Sequence, residues 1–312
     1  PTKTLAKHIN AYLLDAPDVF VERISKPLAC VPKMTKGCQP TDGGNLIIEA
    51  EDLEEFLKLE PKAGRYIKKL IGSREFIQQK PRYCLWLVDV TDEEIDSMPY
   101  VRERVEACRK MRLSSSQSGT RKLAERASTF RETYNPDTCM IIPKVSSERR
   151  FYIPLGFIGK DVISTDANMI IQNASLYQFG IMQSQFHNAW MRVVCGRLKS
   201  DYRYSAGVVY NNYSWPGVTA ETLNVPIESQ ISNEIRVQIE QNAQSILDIR
   251  EAYPDSSLAD LYDPDKMPDD LRTAHNALDK TVEEAYGVNF NGDEEKIVAH
   301  LFELYAEMTD SK

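Results

Sequence analysis

The hydrophobic pattern of this chain changes character at Pro216, and that break constrains the fold more than any motif does. Beyond it, three amphipathic stretches with helical spacing run over about 229–253, 268–286 and 293–308. Pro254 stops the first, Gly287 caps the second, and Asp293 and Glu294 suit the N-terminus of the third. Ahead of Pro216 the apolar runs are short and mixed. Leu53, Phe56 and Leu57 predict a helix ended by Pro61, and Ala63, Tyr66, Ile67 and Leu70 predict a second closed by Gly72. Further helices are expected over about 100–112 and 121–128. Tyr83 to Val88 reads as a buried strand, and CMIIP, RFYIPLGFI and MII read as short strands between Thr138 and Ile171. Phe179, Met182, Phe186, Ala189, Trp190 and Val193 mark one face of a helix of about twenty residues. The expected fold class is α+β: a mixed-sheet domain with packed helices, followed by a small all-helical C-terminal domain. The expected segments are a connecting arm over 1–45, the mixed domain over 46–216 and the helical domain over 217–312.

Charge follows the same division. The chain carries 38 basic and 46 acidic side chains, a net of −8. Residues 102–150 hold 12 basic and 6 acidic side chains, whereas residues 217–312 hold 7 and 21. A nucleic-acid footprint is a local property, so a basic middle remains compatible with an acidic whole. Arg112, Arg121 and Lys122 flank the polar link SSSQSG. They suit a phosphate backbone and equally a mobile surface loop. Arg149 and Arg150 suit either phosphate contacts or the polar end of a hairpin.

Chemistry of the self-contained kind is missing from the sequence. No Gly-rich phosphate loop follows a strand, and there is no GxSxG, HExxH or zinc-type Cys/His array. His8, His187, His275 and His300 are scattered, and His187 reads as a packed helix residue. The six cysteines form no CxxC pair. Cys30 and Cys38 are spaced loosely for a metal, so all six are read as reduced thiols of a cytoplasmic protein. No run approaches the roughly 18 apolar residues of a membrane span, and no basic-then-apolar leader is present. The chain begins at Pro1 without an initiator Met, as expected of a piece of a longer polypeptide.

One stretch has a different character. From Cys195 to Pro216 the sequence reads CGRLKSDYRYSAGVVYNNYSWP, with charges at alternate positions: Arg197, Lys199, Asp201 and Arg203. On an extended backbone these four project from one face. Donors alternating with a carboxylate suit base edges in a major groove, and equally an exposed ion pair between neighbours. Tyr210, Tyr213 and Trp215 read as packing residues at a domain boundary.

Several segments together resemble the C-terminal specificity region of the MmeI-like restriction–modification enzymes, single chains that methylate adenine N6. They are KHINAYLLDAP, SKPLACVPKMTKG, TDGGNLI, PRYCLWLVD, SSERRFYIPLGF, MRVVCGRLKSDYRYS, VVYNNYSWP and LRTAHNALDKTVEEAYG, in the family's order. The resemblance implies a target recognition domain and a helical tail. The family's S-adenosylmethionine motif, its Asn/Asp-Pro-Pro-Tyr loop and its nuclease domain lie upstream of such a region. The implied partners are double-stranded DNA and a methyltransferase domain of the same parent chain, with no membrane. No cofactor is implied for these residues, and S-adenosylmethionine is implied for the parent. The fragment itself is expected to be non-catalytic. By the match to KSDYR, Lys199 and Asp201 read the pair next to the target adenine and Arg203 reads another, with Ala167 and Asn168 cooperating with Arg203. The alternative from a different class is a protein-interaction scaffold that works through the acidic helical tail.

Overall fold

A computed structural model of the chain describes residues 9–309, so His8 and Lys7 of the first matching stretch lie outside the described residues. The strands are β1 (Met34–Lys36), β2 (Ile47–Ile48), β3 (Ile67–Ile71), β4 (Arg82–Leu85), β5 (Thr138–Pro143), β6 (Val145–Ser146), β7 (Gly156–Gly159), β8 (Val162–Ser164), β9 (Asn168–Gln172), β10 (Gly196–Leu198) and β11 (Asp201–Arg203). The helices are α1 (Leu53–Leu59), α2 (Ser73–Gln78), α3 (Asp92–Asp96), α4 (Pro99–Leu113), α5 (Ser118–Lys122), α6 (Leu176–Gln183), α7 (Gln185–Val194), α8 (Asn233–Glu251), α9 (Leu258–Leu261), α10 (Asp269–Ala285) and α11 (Glu294–Thr309). The sheets are ordered β1-β9-β5-β7, β10-β11-β6 and β2-β4-β3-β8. The fold is α+β, with the long helices at the C-terminal end as the pattern predicts.

The chain divides into two compact units. The first holds residues 36–141 and 157–170; the second holds the described residues up to Thr35, 142–156 and 171–309. In the first unit β3 is a central strand, antiparallel to β4 with Ile67 opposite Leu85, and parallel to β8. This corrects the helix expected over 63–70. Apolar residues at 63, 66, 67 and 70 fit a helical period, but pairing on both edges decides the outcome for the half-buried stretch that begins at Ile67. Residues 61–66 form only a short 3-10 turn.

Helix α4 packs on this sheet through Val101, Val105 and Cys108, and the next position of the same stripe is Arg112. Its guanidinium is fully buried and donates to five backbone carbonyls. These are Thr41 (2.8 Å), Leu123 (2.9 Å), Arg126 (2.9 Å), Thr129 (2.7 Å) and Pro40 (3.3 Å). Arg112 therefore does not stand on the surface beside the polar link, and the phosphate contact expected of it is corrected. It satisfies loop carbonyls that no ladder reaches.

In the second unit the helix expected to run for about twenty residues is interrupted at Ser184, whose backbone is extended (ψ 164°). Ser184 Oγ donates to Ile181 O at 2.7 Å, and the Gln185 N–H donates to Asp279 Oδ1 of α10 at 2.6 Å. A side-chain acceptor thus replaces a backbone carbonyl at the break. Asp279 also accepts from Tyr152 Oη at 2.6 Å, and burial pushes its carboxyl up to about 7. Tyr210, Tyr213 and Trp215 are buried as expected of packing residues, and Trp190 Nε1 donates to Val209 O at 3.1 Å. The N-terminal segment lies along them: Ile24 N donates to Gly207 O (2.9 Å), and Asn211 and Asn212 donate to Ile24 O and Glu22 O. A Cβ on Gly207 would approach Arg23 Cγ to 2.8 Å, so this contact needs glycine.

Two stability measurements follow. Arg112→Ala leaves five buried carbonyls without a donor and is expected to cost on the order of 3 kcal/mol in urea unfolding. Arg112→Lys recovers little, because an ammonium cannot span the same fork. Asp279 holds its proton in the folded chain up to about pH 7 but releases it near pH 4 when unfolded. The folded state binds more protons in that window, so stability is expected to fall from about pH 4 to 7, by at most ~1.4 kcal/mol per pH unit from this group. Asp279→Asn should flatten that slope in chemical unfolding followed across the same pH range.

Candidate nucleic-acid interface

Helix α7 ends at Val194, Cys195 turns extended, and the chain enters a short antiparallel hairpin. Gly196 pairs with Arg203, Arg197 with Tyr202, and Leu198 with Asp201, leaving Lys199 and Ser200 as a two-residue turn. Lys199 takes φ 56°, in the left-handed region that favours glycine, at a cost of about 1 kcal/mol. The hairpin is extended by β6, with Tyr202 opposite Ser146 and Arg203 opposite Val145.

This register corrects the expectation that four charges share one face. Directly opposed residues in an antiparallel pair share a face, and the turn resets the alternation. Arg197 therefore lies with Tyr202. Its guanidinium sits 4.2 Å from the Tyr202 ring centre and donates to Ser200 O at 3.0 Å, so it clasps the turn. The other face carries Leu198, Asp201 and Arg203, with Leu198 half exposed, and Lys199 occupies the exposed tip. Among the described residues, no ion pair ties Lys199 to Asp201 or occupies Arg203.

The inner face anchors the hairpin. Tyr202 and Tyr204 are buried, and Tyr204 N donates to Lys144 O at 2.8 Å. Tyr204 Oη meets His187 Nε2 at 2.9 Å, and His187 packs edge-on against Tyr213 at 4.5 Å. Burial pushes His187 down to about 3, so it is a neutral hydrogen-bonding group at physiological pH. This is the packed helix residue that the sequence suggests.

The remaining candidates are dispersed. Ala167 and Asn168 belong to the first unit, on a turn where Asn168 N donates to Thr165 O at 3.0 Å. Asn168 is fully buried; its amide donates to Ile71 O and Ser164 Oγ, both at 3.2 Å, and accepts from Ser73 Oγ at 3.1 Å. Its side chain therefore holds the turn, while Ala167 is exposed at the surface. Arg121 donates to Ser115 O (2.9 Å) and Ser116 O (2.8 Å), and Lys122 is exposed. Arg149, in the second unit, pairs with Asp263 at 3.8 Å and with Asp265. Its neighbour Arg150 is half-buried, with Asp201 and Asp263 as its electrostatic neighbours. The sequence offered no sign of that proximity, since β6 and β11 are more than fifty residues apart. No three His, Cys, Asp or Glu side chains among the described residues gather as metal ligands. No helix among them is long and apolar enough to cross a membrane.

Comparison with known proteins matches residues 15–217 to the MmeI target recognition domain and residues 231–311 to the MmeI C-terminal domain. DNA methyltransferase A of Bacillus subtilis (strain 168) is 39% identical over 311 residues, covering 99% of this chain but 34% of that protein. The solved structure of the type IIL restriction–modification enzyme MmeI in complex with DNA superposes with a TM-score of 0.89 at 40% identity. That superposition covers 98% of this chain and 39% of the MmeI chain. The chain thus spans little more than a third of the relatives it matches.

Proposed function

The chain belongs to the MmeI family, carrying its target recognition domain followed by its C-terminal domain, and from that premise we propose that it is the DNA sequence-recognition portion of a restriction–modification methyltransferase. The observation that carries the reading is the β10–β11 hairpin. It presents Lys199, Asp201 and Arg203 with no ion pair among the described residues, inside the segment that matches the recognition domain.

The chemistry of the tip fits one base pair. Guanine offers N7 and O6 acceptors in the major groove, and its cytosine partner offers the N4 amino donor. Lys199 donates to the guanine while Asp201 accepts from the cytosine. The reversed pair sets like against like. Arg203, two residues along on the Asp201 face, reads a second pair. The exposed Lys122 supplies a backbone contact, which positions without selecting sequence, while Arg121 is committed to the Ser115 and Ser116 carbonyls. Arg197 serves the turn and not the bases.

Catalysis belongs to another part of the longer enzyme in this reading. The chain has no Asn/Asp-Pro-Pro-Tyr loop, so S-adenosylmethionine is assigned to the parent and no step is routed through it here. The acidic tail braces its own unit: Arg192 pairs with Glu294 at 2.8 Å, Arg149 pairs with Asp263 and Asp265, and Asp279 caps the break at Ser184. Inward use of these carboxylates supports bracing over an outward docking surface.

The test is selection of bound duplexes from a randomised pool by the full-length protein. Exchanging the charges in Lys199→Glu with Asp201→Arg should reverse the preferred pair at one position, with each mismatch costing about 1–3 kcal/mol. Affinity should fall linearly with the logarithm of salt concentration. The same preferred base in the exchanged protein, or binding indifferent to salt, defeats the proposal.

A further inference from the structure

The hairpin face that carries Asp201 and Arg203 also carries an aliphatic side chain with no role in the reading above. Leu198 is the register partner of Asp201, so the two leave the sheet on the same face, with Cβ atoms about 5 Å apart as in any directly opposed antiparallel pair. Leu198 is 50% exposed, whereas Tyr202 on the opposite face is 6% exposed. Strand β10 is the outer strand of its sheet, and all three of its residues are exposed. The next position of β10 on the Leu198 face is Gly196, opposite Arg203. A Cβ built there would have Arg203 O, 4.0 Å away, as its nearest neighbour, so the backbone beside Leu198 is bare on that side. Val145 of β6, also opposite Arg203, is half-buried and closes the face at its far edge. The displayed face thus sets one exposed isobutyl group beside a carboxylate and a guanidinium, with no side chain at the next position of its own strand.

Hydrogen-bonding side chains leave one feature of the major groove unread. Thymine carries its C5-methyl group there, and an apolar side chain is what recognises it. Successive bases lie about 3.4 Å apart along the helix axis. A side chain about 5 Å from Asp201 across the hairpin therefore meets a neighbouring base pair and not a distant one. The bare backbone at Gly196 lets a methyl group come alongside Leu198. Uracil presents the same hydrogen-bonding edge as thymine without the methyl, so the apolar contact is separable from the rest of the base. We propose that Leu198 is a specificity-determining residue, recognising the C5-methyl group of a thymine in the pair next to the one that Lys199 and Asp201 read. The inference rests on the base reading proposed for Asp201.

Replacing single thymines of the selected duplex by deoxyuridine, with binding measured in the full-length protein, tests it. The selected duplex should carry a thymine beside the pair whose identity the Lys199→Glu, Asp201→Arg exchange alters. Deoxyuridine at that thymine should weaken binding about fourfold, the worth of burying one methyl group, and deoxyuridine elsewhere should change it by less than about twofold. Leu198→Ala should bind the thymine and deoxyuridine duplexes alike while keeping the discrimination that depends on Asp201. Leu198→Met, which conserves apolar volume, should retain most of the dependence on the methyl group. Melting curves confirm that each variant is folded. If Leu198 is instead a wedge between bases, Leu198→Ala weakens every duplex alike and the deoxyuridine penalty does not depend on it. That result overturns the proposal, as does the absence of a thymine from both neighbouring pairs. If Asp201→Asn leaves the preferred base unchanged, the base reading falls and this inference falls with it. Lost discrimination in Asp201→Asn with no methyl dependence at the neighbouring pair removes this inference alone.

Discussion

A two-residue turn determines what the candidate interface can present. Because Lys199 and Ser200 close the hairpin, Leu198 faces Asp201 across the strands, and every side chain of β10 and β11 is assigned to one face or the other. A one-residue slip would bury Asp201 and expose Tyr202. Several contacts fix the register against that slip: Tyr202 and Tyr204 are buried, Tyr204 is held by His187, and Arg197 closes over the turn. The left-handed Lys199 is tolerated because these contacts over-determine the conformation. Strain at the tip and packing at the root are thus parts of one arrangement.

Formal charge is a poor guide to available charge in this chain. The segment 102–150 is the most basic, yet most of its guanidiniums serve the backbone. Arg104 donates to Asn45 O and Ile47 O, Arg109 to Ala124 O, Arg121 to Ser115 O and Ser116 O, and Arg126 to Phe130 O. Arg112 is the extreme case, since it is buried and bound to five carbonyls. The first unit is rich in loops and short helices, whose carbonyls lack ladder partners, and arginine supplies several donors from one side chain. The positive field of the segment persists at long range, but few of its guanidiniums are at liberty to grip a particular phosphate.

This explains how much the sequence could reveal. The long helices were legible because amphipathic period, Pro254 and Gly287 agree locally. β4 was legible as an apolar run. β3 was not, since its apolar spacing also fits a helix and only its neighbours β4 and β8 decide. Arg112 sits at a position where the period of Val101, Val105 and Cys108 demands burial, but its residue type argues for exposure, and the carbonyls that reverse that preference come from distant loops. The charged row from Arg197 to Arg203 was recognisable as unusual. Its division between two faces was not, because nothing in the residues KS announces a turn as Asn-Gly would. The break at Ser184 depends on Asp279, nearly a hundred residues away.

The arrangement separates what holds the hairpin from what it displays. Tyr202, Tyr204, His187 and Ser146 are buried and carry the packing; Lys199 and Arg203 are exposed and Asp201 is half-buried, and none of the three supports a core contact. Substitutions at the displayed positions therefore alter a donor–acceptor pattern without removing apolar burial, which keeps their effect on stability within the small range of surface changes. Substitutions at the inner positions disturb register and hence every displayed group at once. In the reading proposed here, base preference can drift through the outer three residues while the fold stays constant.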